Sequence, residues 1–152
     1  MTGSRIVKLR LVLATVMATV LAATVLSQSP QYRARLSVVP IDIPMQSAIA
    51  GTGTVTATLK GSTLTISGTF AGLKTPATVV RLHRGPKTAM RGPSIGELTA
   101  TAATSGTING ATELTKEQID GLAAGRLYVQ LHSQKAANGN LWGWLLPSEG
   151  KK

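Results

Sequence analysis

The stretch from Thr54 to Phe70, TVTATLKGSTLTISGTF, decides the fold. Its first half, Thr54 to Leu59, alternates β-branched with small side chains, a period-2 pattern that suits a strand and no helix. Lys60-Gly61-Ser62 then turns the chain. From Thr63 to Phe70 the apolar residues Leu64, Ile66 and Phe70 share one face and threonines the other. Two such runs about a glycine turn predict an antiparallel hairpin.

Further runs of the same kind come after it. Ala77 to His83 (ATVVRLH), introduced by Pro76, is a third strand. Glu97 to Ala102 and Gly106 to Ala111 flank a Ser105-Gly106 turn. Arg126 to His132 (RLYVQLH) sets Leu127, Val129 and Leu131 against Tyr128, Gln130 and His132. Leu141 to Leu146 comes after Asn138-Gly139, a dipeptide that favours hairpin turns. One helix interrupts the series. Thr115 and Gln118 have capping-box spacing, Glu117 and Asp120 suit the first turn, and Gly125 ends it. Strands at this spacing predict an all-β sandwich with antiparallel pairing and one short helix.

Upstream, Arg5, Lys8 and Arg10 precede the uncharged run Leu11 to Ser27, LVLATVMATVLAATVLS. Basic residues ahead of an apolar stretch direct the downstream chain across a membrane. In a helix the run would measure about 25 Å, a length that fits either a signal peptide or a short transmembrane anchor. Val25-x-Ser27 and Val20-x-Ala22 offer cleavage positions, neither of them a clean Ala-x-Ala. The chain therefore divides into residues 1–27, a signal peptide or anchor; 28–50, a proline-bearing linker whose Leu36 to Ile43 could add an edge strand; 51–146, the β domain; and 147–152, a basic tail. The expected location is the periplasmic or extracellular side, either membrane-anchored or secreted. Arg33 and Arg35, just beyond the apolar run, are placed to meet lipid phosphates if the anchor is retained.

The chain of 152 residues has no cysteine, which excludes disulfides, thiolate metal sites and a cysteine nucleophile. Its formal net charge is +10. Such a balance favours an acidic protein surface or anionic lipid. Nucleic acid is not expected, because aromatic stacking residues are few and no recognition motif is present. Gly92-Pro93-Ser94-Ile95-Gly96 matches the spacing of a nucleophile elbow, but a strand rather than a helix comes after it. Gly51-Thr52-Gly53 opens a strand and makes no phosphate loop. No enzyme is expected.

Four segments in order carry a family resemblance: Gly68 to Leu73 (GTFAGL), Val79 to Pro86 (VVRLHRGP), Leu114 to Ile119 (LTKEQI), and Leu127 to His132 (LYVQLH) running into Asn138 to Leu146. Together they resemble the chordin-type (CHRD) domain over most of Gly51 to Leu146. The resemblance implies an immunoglobulin-like or superoxide-dismutase-like β-sandwich and an extracellular module, and little about activity. Two positions depart from the family pattern. Arg81-x-His83 stands where His-x-His is frequent, and Gly139-Asn140 where Gly-Glu is.

His83 and His132 are the only histidines. On neighbouring strands they would be candidate ligands for copper or zinc, although Arg81 would repel a cation and hydrogen bonding across strands is the simpler role. Arg81, Arg84, Lys87 and Arg91, in and beside the stiff loop RGPKTAMRGPS, are candidate contacts for an acidic partner. Trp142 and Trp144 share one face of the last strand and are candidate interface anchors, with core the default for one of them. The leading expectation is a non-enzymatic accessory or structural subunit contacting a larger membrane protein complex. The alternative is a soluble periplasmic copper- or zinc-binding protein.

Overall fold

The computed structural model describes residues 28–148. The apolar run read as a signal or anchor and the last four residues of the tail lie outside the described residues. Among the described residues nine strands and one α-helix occur in order, with a single 3-10 turn at Ile43–Met45 after the first strand: β1 (Gln31–Val38), β2 (Thr52–Lys60), β3 (Thr63–Ala71), β4 (Ala77–Arg84), β5 (Ser94–Ala100), β6 (Gly106–Glu113), α1 (Lys116–Ala123), β7 (Leu127–Ser133), β8 (Ala136–Trp144) and the two-residue β9 (Leu146–Pro147). Among the described residues no helix is long and apolar enough to cross a membrane.

The expected hairpin forms with Lys60 opposite Thr63. The strands pair in the order β2-β3-β6-β5-β4-β7-β8-β1, and β1 pairs again with β2. This ring is an antiparallel eight-stranded barrel, where the sequence reading expects two separate sheets. Two strands make the corners. β1 pairs with β2 through Gln31 to Leu36 and with β8 through Ser37 and Val38. β5 pairs with β4 through Ser94 to Leu98 and with β6 through Thr99 and Ala100. Closure gives each of the eight strands a partner on both sides over at least part of its length.

Gln31 to Val38 is therefore a stave of the barrel and no linker. Tyr32, Ala34 and Leu36 point inward and are buried, while Gln31, Arg33 and Arg35 point out. Inside the barrel they meet Val55, Ile66, Leu82, Val129, Leu131 and Leu141, all at most 1% exposed. Each such side chain contributes about 1.5–3 kcal/mol by leaving water.

The helix starts as expected. The Gln118 backbone N–H donates to Thr115 Oγ1 at 3.3 Å, and the Thr115 N–H donates to Gln118 Oε1 at 2.9 Å. The last hairpin does not. β7 and β8 turn at Gln134-Lys135, with Ser133 opposite Ala136, and Asn138-Gly139 lies inside β8. At Gly139, φ is +128° and a Cβ would stand 2.2 Å from the Gln130 amide nitrogen. This glycine serves a close side-chain approach rather than a turn.

Candidate functional site

β7 breaks the rule that one face of an antiparallel strand is wet, because all seven of its residues are buried. Leu127, Val129 and Leu131 face the core. Tyr128, Gln130 and His132 face outward, yet are 2%, 5% and 5% exposed. Two local covers explain this. The loop after β4 closes over Tyr128: its Gly92 N–H donates to Tyr128 Oη at 3.3 Å, and the Tyr128 hydroxyl donates to the Gly92 carbonyl at 3.1 Å. The start of β8 covers the rest. Gln130 Nε2 donates to the Asn138 carbonyl at 2.8 Å, and His132 Nδ1 donates to the Ala137 carbonyl at 2.8 Å.

Strand register assembles an aromatic cluster on this outer face. His83 lies opposite Tyr128, and Tyr128 opposite Trp144. The His83 ring stacks on Tyr128 at 4.8 Å and 11°. Trp144 meets Tyr128 at 4.6 Å, and Trp142 meets it edge-on at 5.9 Å. Both tryptophans lie outside the barrel core and are partly exposed, so neither takes the core position expected for one of them. Trp142 also packs on a small second cluster of Val39, Ile49 and Ala136. Arg91 places its guanidinium carbon 4.6 Å above the Trp142 ring, within cation–π range.

The basic loop is closed at its neck. A Cβ on Gly92 would stand 1.9 Å from the Arg84 carbonyl, and one on Gly85 would stand 1.9 Å from the Met90 carbonyl. Thr88 Oγ1 donates to the Ala124 carbonyl at 3.1 Å, which ties the tip to the end of α1. Lys87 and Arg91 are exposed. Arg84 goes elsewhere, its Nε lying 3.1 Å from where a Cβ of Gly121 would be. Arg81 lies between the histidines in register, opposite Gln130, and pairs with Glu97 at 3.8 Å. Of the residues singled out in the sequence, His83, Arg91, Trp142 and Trp144 thus join one cluster and Arg81 flanks it. Lys87 stands on the loop tip, and Arg84 lies over α1. Tyr128, the centre of the cluster, is not among the residues that sequence reasoning selects. Its signal is the alternation of β7, which sets it on the same face as His132.

Each histidine donates its Nδ1–H to a carbonyl, His83 to Gly92 at 3.0 Å and His132 to Ala137. That fixes the neutral tautomer with its lone pair on Nε2. Both Nε2 atoms are buried without a partner. Burial is the main cause that holds both imidazoles below the usual histidine pKa; the carbonyls oppose it and Arg81 adds to it. His132 follows Tyr128, the partner of His83, by four residues along β7, about 13 Å of strand. The two rings nevertheless feel each other, since a charge on His132 lowers the His83 pKa. No group of three or more metal-ligating side chains occurs among the described residues.

A family model described as CHRD domain matches residues 32–145, which extends the resemblance back into β1. No curated protein matches the chain.

Proposed function

The chain belongs to the CHRD domain family, and from that premise we propose that it is a non-enzymatic interaction module working on the extracellular or periplasmic side. The observation that supports this most is the aromatic cluster outside the core. Trp142 and Trp144 give apolar area to the surface, and the loop beside them presents Lys87 and Arg91. Aromatic anchors next to arginine are what well-packed interfaces use. The net positive charge suits an acidic partner surface. With the basic, apolar N-terminal segment, the role fits an accessory subunit held beside a larger membrane protein complex.

Photo-crosslinking in the native envelope tests the reading. A crosslinking residue at Trp144 or Lys87 should capture a discrete protein, and one at Thr65 on β3 should not. Equal capture from both positions would remove the assignment.

The buried Nε2 lone pairs support a second reading, a copper- or zinc-binding protein that uses His83 and His132. A neutral imidazole held by a carbonyl at Nδ1 is the form that ligates metal. Metal content of the purified chain, compared with a His83→Gln/His132→Gln variant, decides it. Equal copper and zinc in both proteins would end this reading.

A further inference from the structure

A second site lies elsewhere on the barrel wall, along β1. The inward set Tyr32, Ala34 and Leu36 forces Arg33 and Arg35 outward, two residues apart on one face. Register sets Arg35 opposite Thr54 and Arg33 opposite Thr56, and Thr54 is in turn opposite Thr69. A cleft of about 530 Å³ opens there, lined by Arg33, Arg35, Thr52, Thr54 and Thr69 with Gly53, Phe70 and Ala71. That size is typical of small-ligand sites. A smaller cleft of about 270 Å³ continues past Arg33, beside Thr56 and Thr58.

The donor set points to one chemistry. Two guanidinium groups and three hydroxyls surround the space, and no carboxylate lines it. Neither arginine makes an ion pair with any acidic side chain among the described residues; the ion pairs there are Arg81–Glu97 and Lys116–Asp120. An acid on the outer face of β6, Glu113, is engaged by the hydroxyls of Ser62 and Thr63. A carboxylate holds its two oxygens in one plane and suits one guanidinium fork, whereas the oxygens of a tetrahedral phosphate diverge and can meet both forks and the hydroxyls.

We infer that this cleft binds a phosphate group. The group could be the head group of an anionic phospholipid or a phosphate free in solution. Position in the chain favours the lipid. Arg33 follows Ser27, the end of the apolar run, by six residues, which reach about 20 Å when extended. A run held in a bilayer would keep Arg33 and Arg35 near the phosphate layer. The cleft shares no lining residue with the aromatic cluster, so it binds independently of the partner proposed above.

The test uses the full chain in dodecyl maltoside, titrated calorimetrically with inorganic phosphate and with dihexanoyl phosphatidylglycerol. Flotation with vesicles of phosphatidylglycerol and phosphatidylcholine completes it. Arg33→Gln/Arg35→Gln should weaken binding about tenfold or more, and Thr54→Val by a smaller factor, with thermal midpoints unchanged. Both arginines are exposed, so their replacement does not put folding at risk. Binding of the lipid but not of phosphate, lost in the double variant, establishes the head-group source. Binding of phosphate but not of the lipid, also lost, establishes a soluble one. If neither binds, or if the double variant binds both as the wild type does, the inference is overturned.

Discussion

Single residues carry two sharp consequences. Gly143 stands between the tryptophans where β8 passes β1, and a Cβ there would lie 2.4 Å from the Arg35 carbonyl. A backbone oxygen cannot swing aside as a side chain does. Gly143→Val should cost about 2–4 kcal/mol, seen as a lower urea midpoint with little change in slope. The histidines give the second consequence. Both have pKa values held below the ordinary 6.5, chiefly by burial. The unfolded chain therefore takes up protons first as pH falls. Their contribution leaves stability complete above about pH 6.5 and lowers it progressively on acidification. His132 when charged, Arg81 and Arg91 act on His83 in the same direction. Thermal midpoints should fall between pH 7 and pH 5, and His83→Gln/His132→Gln should flatten that fall. A midpoint that rises on acidification would mean the imidazoles gain a partner carboxylate when charged.

At the scale of elements, the helix and the first hairpin are legible because local chemistry decides them. Thr115 caps α1 through its own hydroxyl, and Lys60-Gly61 turns β2 into β3 with Gly61 at φ +60°. Thr115→Ala should lower stability by about 1 kcal/mol, measured by denaturant unfolding. Asn138-Gly139 misleads for a physical reason. That dipeptide favours a tight turn, but here the glycine makes room for Gln130, and a distant contact overrides the local preference. β1 reads as linker because prolines flank it, although the alternation of Tyr32, Ala34 and Leu36 with polar residues is itself a strand pattern. Its stability comes from pairing with β2 and β8, which no local pattern announces. The outer cluster is half legible. Alternation puts Trp142 and Trp144 on one face, but nothing local shows that the loop after β4 folds back to hold Tyr128 and to bring Arg91 over Trp142.

For the whole molecule, closure by β1 is what makes a barrel of these strands. Leu36 is fully buried at the point where β1 passes from β2 to β8. Leu36→Ala should cost about 2–5 kcal/mol, and a chain starting at Val39 should show no dispersed amide NMR spectrum. A chain starting at Gln28 keeps every strand and should fold. The barrel then separates two surfaces, an arginine–threonine cleft beside β1 and an aromatic face on β7 and β8 flanked by a basic loop. The second is the surface assigned to the protein partner. Capture of the full-length chain from native membranes in mild detergent tests it most directly, with wild type compared to Arg91→Ala/Trp144→Ala. A stoichiometric protein partner should accompany the wild type and be lost from the variant. The same partner at the same yield on both, or no partner on either, would contradict it.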